Sequence, residues 1–174
     1  MKEAARAPSP ISHRPYLLFQ PLEIFAAESS RVWNKRGVNQ KPADELKEFP
    51  DEVRGHLQRA DGFLDLAMAA RARAELDQIP APYSDTTLVR IERLRLAFTE
   101  KDWAIAATYA HELREKFPDE PSFWIEQAYA VRRAAGIEAA HKVLMKALKR
   151  FPKFATIRFN LACYDCQLGN LEAA

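Results

Sequence analysis

The chain is short of glycine and nearly free of cysteine, with five and two respectively in 174 residues. So few glycines leave no Gly-rich loop to cradle a phosphate. The two cysteines, Cys163 and Cys166, cannot make a disulfide framework, and with no second pair a closed four-ligand zinc site is excluded. A redox role for Cys163-Tyr164-Asp165-Cys166 needs a helix N-terminus near a βαβ unit, and nothing around it reads that way. The pair is read as two buried structural thiols in a reducing compartment. A charge surplus is missing too: 26 Lys plus Arg face 24 Asp plus Glu. The first 50 residues hold 8 basic and 6 acidic side chains, and the rest hold 18 of each. That neutral remainder has no excess with which to neutralise a phosphate backbone, so nucleic acid is not expected as a partner. Long apolar runs are absent as well. Tyr16 to Phe19 stops at Gln20-Pro21, far short of the roughly 18 residues a membrane span needs. A cytoplasmic protein with no membrane partner is the expectation.

What the sequence does have is an internal period. Phe117-Pro118 recurs 34 residues later as Phe151-Pro152, and Phe49-Pro50 falls in the same register. Units that begin at Val53, Thr87, Pro121 and Ala155 bring small residues into columns. The eighth position holds Ala60, Leu94, Ala128 and Ala162, and the twentieth holds Ala72, Ala106, Ala140 and Ala174. The seventeenth reads Ala69, Trp103, Ile137 and Leu171. Leu76, Ala110 and Leu144 share the twenty-fourth; Ile79, Leu113 and Ala147 share the twenty-seventh. Periods of this length indicate stacked supersecondary units.

Each unit carries two apolar-periodic runs with a short break between them. In the third, Trp124, Ala128 and Val131 form one helical stripe, and Ile137, Ala140, Leu144 and Ala147 form the next. Breaks are expected near Lys101, Gly136 and Gly169. Pro118 and Pro152 stop the second helices, and Pro121 suits a first helical turn. Small residues at the crossings let paired helices approach, and a larger side chain there would overpack them.

These columns resemble the tetratricopeptide repeat family, whose pattern is a large apolar residue at position 4, small ones at 8 and 20, and proline at 32. Trp124, Ala128, Ala140, Leu144, Ala147 and Pro152 of the third unit match it best. The second unit departs at Arg90 and Arg93, which suggests a first helix shifted by one residue. The first departs at His56 and Ser84. The resemblance covers about Asp51 to Ala174. It implies an all-α, right-handed α-solenoid of antiparallel helix pairs, with repeats over 53–86, 87–120, 121–154 and an incomplete 155–174. Residues 1–50, with six of the eleven prolines, stand outside the repeats. They read either as a loosely ordered extension or as a docking helix over Pro21 to Asn34, with Leu22, Phe25, Ala26 and Val32 on one face. The sequence stops within the fourth unit, where Leu171 and Ala174 begin a helix. A homodimer through that C-terminal end is an expectation that follows from uncovered apolar surface.

Catalytic patterns are not found. The histidines His13, His56, His111 and His141 lack metal-ligand spacing, and the last two are expected to be exposed. Phe98, Trp103 and Trp124 read as core aromatics. No enzyme activity, metal or cofactor is expected. The family resemblance instead implies a concave groove lined by the first helices at positions 2, 5, 9, 12 and 13, which holds an extended peptide or a partner helix. Carried over position by position, the groove residues are Ile91, Arg95, Ile125, Tyr129, Arg132, Arg133 and Phe159. Leu57 and Asp61 replace the lysine and asparagine of carboxylate-clamp members, so a clamp is rejected. Apolar residues with arginine at the middle would suit an apolar and acidic partner, although an ordinary solvated face would carry the same arginines. The functional expectation is a protein–protein interaction scaffold. A small secretion-type chaperone and a regulatory repeat domain of a larger protein are the alternatives.

Overall fold

A computed structural model describes residues 46–170. The expected docking helix over Pro21 to Asn34, and Leu171 and Ala174 at the other end, lie outside the described residues. Within them the protein is all-helical, with no strand. Seven α-helices follow one another: α1 (Asp51–Asp65), α2 (Ala69–Leu76), α3 (Thr87–Glu100), α4 (Trp103–Lys116), α5 (Pro121–Ala135), α6 (Ile137–Arg150) and α7 (Ala155–Leu168). A 3₁₀ turn, Tyr83–Asp85, lies between α2 and α3. Each helix packs on the next in chain order, and α1 also reaches α3.

The helix starts keep the register of the sequence columns. Thr87, Pro121 and Ala155 open α3, α5 and α7; Ala69, Trp103 and Ile137 open α2, α4 and α6. The expected one-residue shift in the second unit does not occur. Arg90 and Arg93 are accommodated at the edge instead. Arg90 pairs with Glu112, and Arg93 meets Asp77 at 3.2 Å and donates to the Leu76 carbonyl at 3.1 Å. The core beneath them is filled by Val89 and Leu94. Just ahead of α1, Phe49 is buried against Val53 and meets Tyr83 edge-on at 5.4 Å.

The expected breaks fall at Lys101, Gly136 and Gly169. Ala67, Lys101 and Gly169, separated by one and then two 34-residue steps, all adopt positive φ (55°, 60° and 80°). Their turns close helices by the same bond: the Met68 amide donates to Phe63 O, Asp102 to Ala97 O and Asn170 to Asp165 O, at 2.8 to 2.9 Å. This is the Schellman arrangement, which favours glycine at the left-handed residue. Lys101 has a Cβ in that conformation and an exposed side chain. Lys101→Gly is therefore expected to raise the unfolding free energy by about 1 kcal/mol, read as a higher urea midpoint at unchanged slope. A lower midpoint would show that the lysine stem contributes more than the backbone strain costs.

The core divides into three consecutive clusters. Ala60, Ala72, Ala106, Ala128 and Ala140 are all at most 1% exposed, whereas Leu94 takes the eighth position in the second unit and Ala162 is half-buried in the fourth. The large buried side chains are displaced by one from expectation. Val89, Phe123 and Ile157, at the third position of their helices, are the ones sealed inside. Trp124 is only half-buried; its indole Nε1 donates to Pro118 O at 3.1 Å, and the Arg114 guanidinium covers its ring at 4.6 Å. Turning one residue along α5 rotates a side chain by about 100°, so Phe123 points inward and Trp124 lies along the edge.

Candidate protein-binding face

The seven residues assigned to the groove do not all reach a surface. Ile91 is 9% exposed and Ile125 is 2% exposed. Ile91 packs with Leu94, Ala110 and Phe123, and Ile125 with Ile157 and Leu161. Both are core residues, because the fifth position faces the neighbouring helices rather than solvent. Phe159, at the same position of α7, is 54% exposed.

Arg95 is also not the available cation that the sequence suggested. Its side chain is 17% exposed and faces three carboxylates. Nη1 binds Asp61 of α1 and, at 2.7 Å, Glu92 of its own helix; Nη2 binds Asp65 at 2.8 Å. Burial opposes the Arg95 charge, but Glu92, Asp61 and Asp65 outweigh it and hold its pKa above the ordinary value. Glu92 is pushed up to about 7, first by burial, with Arg95 pulling the other way and the two aspartates adding to the rise. This cluster ties α1 to α3.

One turn further along α3, Phe98 meets Tyr129 of α5 with ring centroids 5.8 Å apart. Trp103, the first residue of α4, closes a triangle, 6.3 Å from Phe98 and 5.7 Å edge-on to Tyr129. Phe98, Trp103 and Tyr129 are half-buried, so the triangle roofs the core rather than forming it. The Arg133 guanidinium lies 5.3 Å from the Tyr129 ring and 5.6 Å from the Trp103 ring, and Nη2 donates to the Tyr129 hydroxyl at 3.4 Å. Arg132 lies over Tyr164 of α7 at 4.9 Å, with Nη2 donating to Gln167 Oε1 at 2.7 Å. Burial raises the pKa of Tyr164. Eight other described arginines, among them Arg90, Arg95 and Arg150, have a carboxylate partner. Among the described residues, no carboxylate pairs with Arg132 or Arg133. Cation–π contact holds their planes and leaves N–H donors at the edge for a planar anion.

The remaining candidates are placed as follows. His111 is exposed, as expected, but His141 is half-buried, with Nε2 2.9 Å from Asp165 Oδ1. Cys163 is half-buried against the last core cluster, and Cys166 is exposed. The reading of two buried thiols therefore fails for Cys166: three residues along a helix turn the side chain about 60° away from its neighbour's face. A polar cleft of about 380 Å³ is lined by Ser84, Asp85, Arg90, Arg93, Tyr109 and Glu112. Its arginines are neutralised from within. Among the described residues, no group of three or more His, Cys, Asp or Glu side chains could hold a metal ion. No described helix is long and apolar enough to cross a membrane.

No family model, curated protein or solved structure matches this chain. Sequence reasoning missed the aromatic triangle as a surface element and the acidic partners of Arg95. A signal for the latter existed: Asp61 and Arg95 hold the same repeat position, 34 residues apart.

Proposed function

We propose that this chain is a non-catalytic, tetratricopeptide-type scaffold that binds a protein segment along the face of its first helices. Supporting the repeat reading are helix starts in one register, left-handed Ala67, Lys101 and Gly169 at one position of the 34-residue unit, and sealed alanines at Ala60, Ala72, Ala106, Ala128 and Ala140. In that reading α1/α2, α3/α4 and α5/α6 are antiparallel pairs, stacked as a right-handed solenoid with α7 opening a fourth. The free thiols Cys163 and Cys166 suit a reducing compartment such as the cytoplasm.

The observation that carries the binding reading is Arg132 and Arg133, two adjacent arginines held on aromatic rings without a carboxylate partner among the described residues. Most described arginines elsewhere are neutralised from within. Placing two carboxylate-free guanidinium groups beside half-buried aromatics makes a surface for a segment that carries acidic and apolar side chains. Partners captured by the intact chain are the test, with affinity measured against the double variant Arg132→Glu/Arg133→Glu and a control, Lys146→Glu, on α6. The double variant is expected to lose at least about tenfold, or about 1.4 kcal/mol, and the wild-type affinity to fall with salt. Equal losses in the double variant and the control would remove this face as the binding surface.

A further inference from the structure

The first-helix face is not uniform in charge. Two sets of contacts lie along it: Asp61 and Asp65 meet Arg95, and one turn further along α3 Phe98 meets Tyr129, which in turn meets Arg133. At the α1–α3 end, one guanidinium meets three carboxylates, so negative charge is left over. Arg95 has spent both terminal nitrogens on those contacts. Asp61 and Asp65 meet it through Oδ1, and their side chains remain 55% and 63% exposed. A second cation can therefore reach them. At the α5 end the balance reverses, because Arg132 and Arg133 have no carboxylate of their own among the described residues. Between the two ends lie the rings of Phe98, Trp103 and Tyr129.

We propose that this face is bipolar and takes an extended partner segment whose basic and acidic residues are segregated, the basic group over Asp61 and Asp65 and the acidic group over Arg132 and Arg133. This rests on the reading that the face binds a protein segment, and it narrows the partner from acidic throughout to dipolar. The middle of the segment is apolar or aromatic, to cover the ring triangle. Neighbouring helices stand roughly 8–10 Å apart, so charge centres two spacings apart are separated by roughly 16–20 Å. An extended chain spans that in about five or six residues. A uniformly acidic segment would meet repulsion at Asp61 and Asp65, which is how like charges exclude wrong partners.

A randomised peptide library selected on the intact 174-residue chain reads this out directly. Enriched sequences are expected to carry a basic pair and an acidic pair about five or six residues apart, in either backbone direction, with apolar residues between. Affinity for a synthetic peptide of that kind should fall at least about tenfold in Asp61→Lys/Asp65→Lys. The same variant should shift selection towards uniformly acidic peptides; Leu57 and Leu64 of α1 still share a core cluster with Val89 and Leu96 of α3, and helical circular dichroism checks that the fold survives. Enrichment of uniformly acidic peptides by the wild-type chain would overturn the bipolar proposal and leave the binding face standing. No enrichment at all would overturn both. Salt-dependent self-association in sedimentation, lost in either charge variant, would also overturn the proposal, since the occupant would then be a second copy of the chain.

Discussion

Phe123→Ala is expected to lower the unfolding free energy by about 3–5 kcal/mol, the usual cost of emptying a sealed aromatic site. Phe123 is 1% exposed, and its ring centroid lies 6.0 Å from that of Phe117. It packs in the middle cluster with Leu113, Ala110 and Ile91, where α4 and α5 meet. Two of those neighbours, Ala110 and Ile91, are small or β-branched and have little rotamer freedom with which to refill the space. Its sequence neighbour gives the control. Trp124→Ala removes a larger ring but only a half-covered one, with one hydrogen bond to Pro118 O. Its cost should be roughly 1–2 kcal/mol. Urea titrations of both variants, read as midpoints at constant slope, decide the order. A greater loss at Trp124 would mean that α5 is rotated from the orientation described.

The second large effect is a pH dependence at Glu92. Its pKa is pushed up to about 7 in the folded chain, first by burial, from an ordinary value of 4.5. Between those values the folded state binds the Glu92 proton more tightly than the unfolded state does. Linkage then requires stability to fall as pH rises from about 4.5 to about 7, and to level off above. The span corresponds to about 3 kcal/mol at 1.36 kcal/mol per unit. Arg95 limits the loss, because the ionised Glu92 still meets its Nη1 at 2.7 Å. Glu92→Gln removes the titration while leaving Asp61 and Asp65 to hold Arg95. The difference in unfolding free energy between the wild type and this variant should therefore change by about 3 kcal/mol between pH 4.5 and pH 8, with the variant favoured at the alkaline end. A difference that stays flat with pH would show that Glu92 is ionised throughout and that Arg95 outweighs its burial.

The face was less legible than the helices, for a reason visible in single residues. Position 5 reads as apolar in every unit, at Leu57, Ile91, Ile125 and Phe159, and nothing in that column distinguishes a groove from a core. Ile91 and Ile125 turn inward while Phe159 is more than half exposed. Arg95 and Arg132 look alike in sequence, yet one is consumed by Asp61, Asp65 and Glu92 and the other rests on Tyr164. Ion pairs between helices join residues some 30 apart, and their geometry depends on how the helices stack, which local periodicity does not encode.

By itself the sequence determined the helices, their starts, their breaks and the sealed alanines between them. These follow from local rules: apolar spacing, proline at a first turn, glycine after a last one, and the recurrence of the apolar columns at a 34-residue step. Tertiary structure alone decided which of two adjacent aromatics is sealed, since Phe123 and Trp124 are equally apolar and differ only in the angle at which α5 meets α4. It also decided which arginines keep their charge for a partner. Burial and pairing are properties of the space between helices, where a carboxylate from α1 lies within hydrogen-bond distance of α3 only once both have packed.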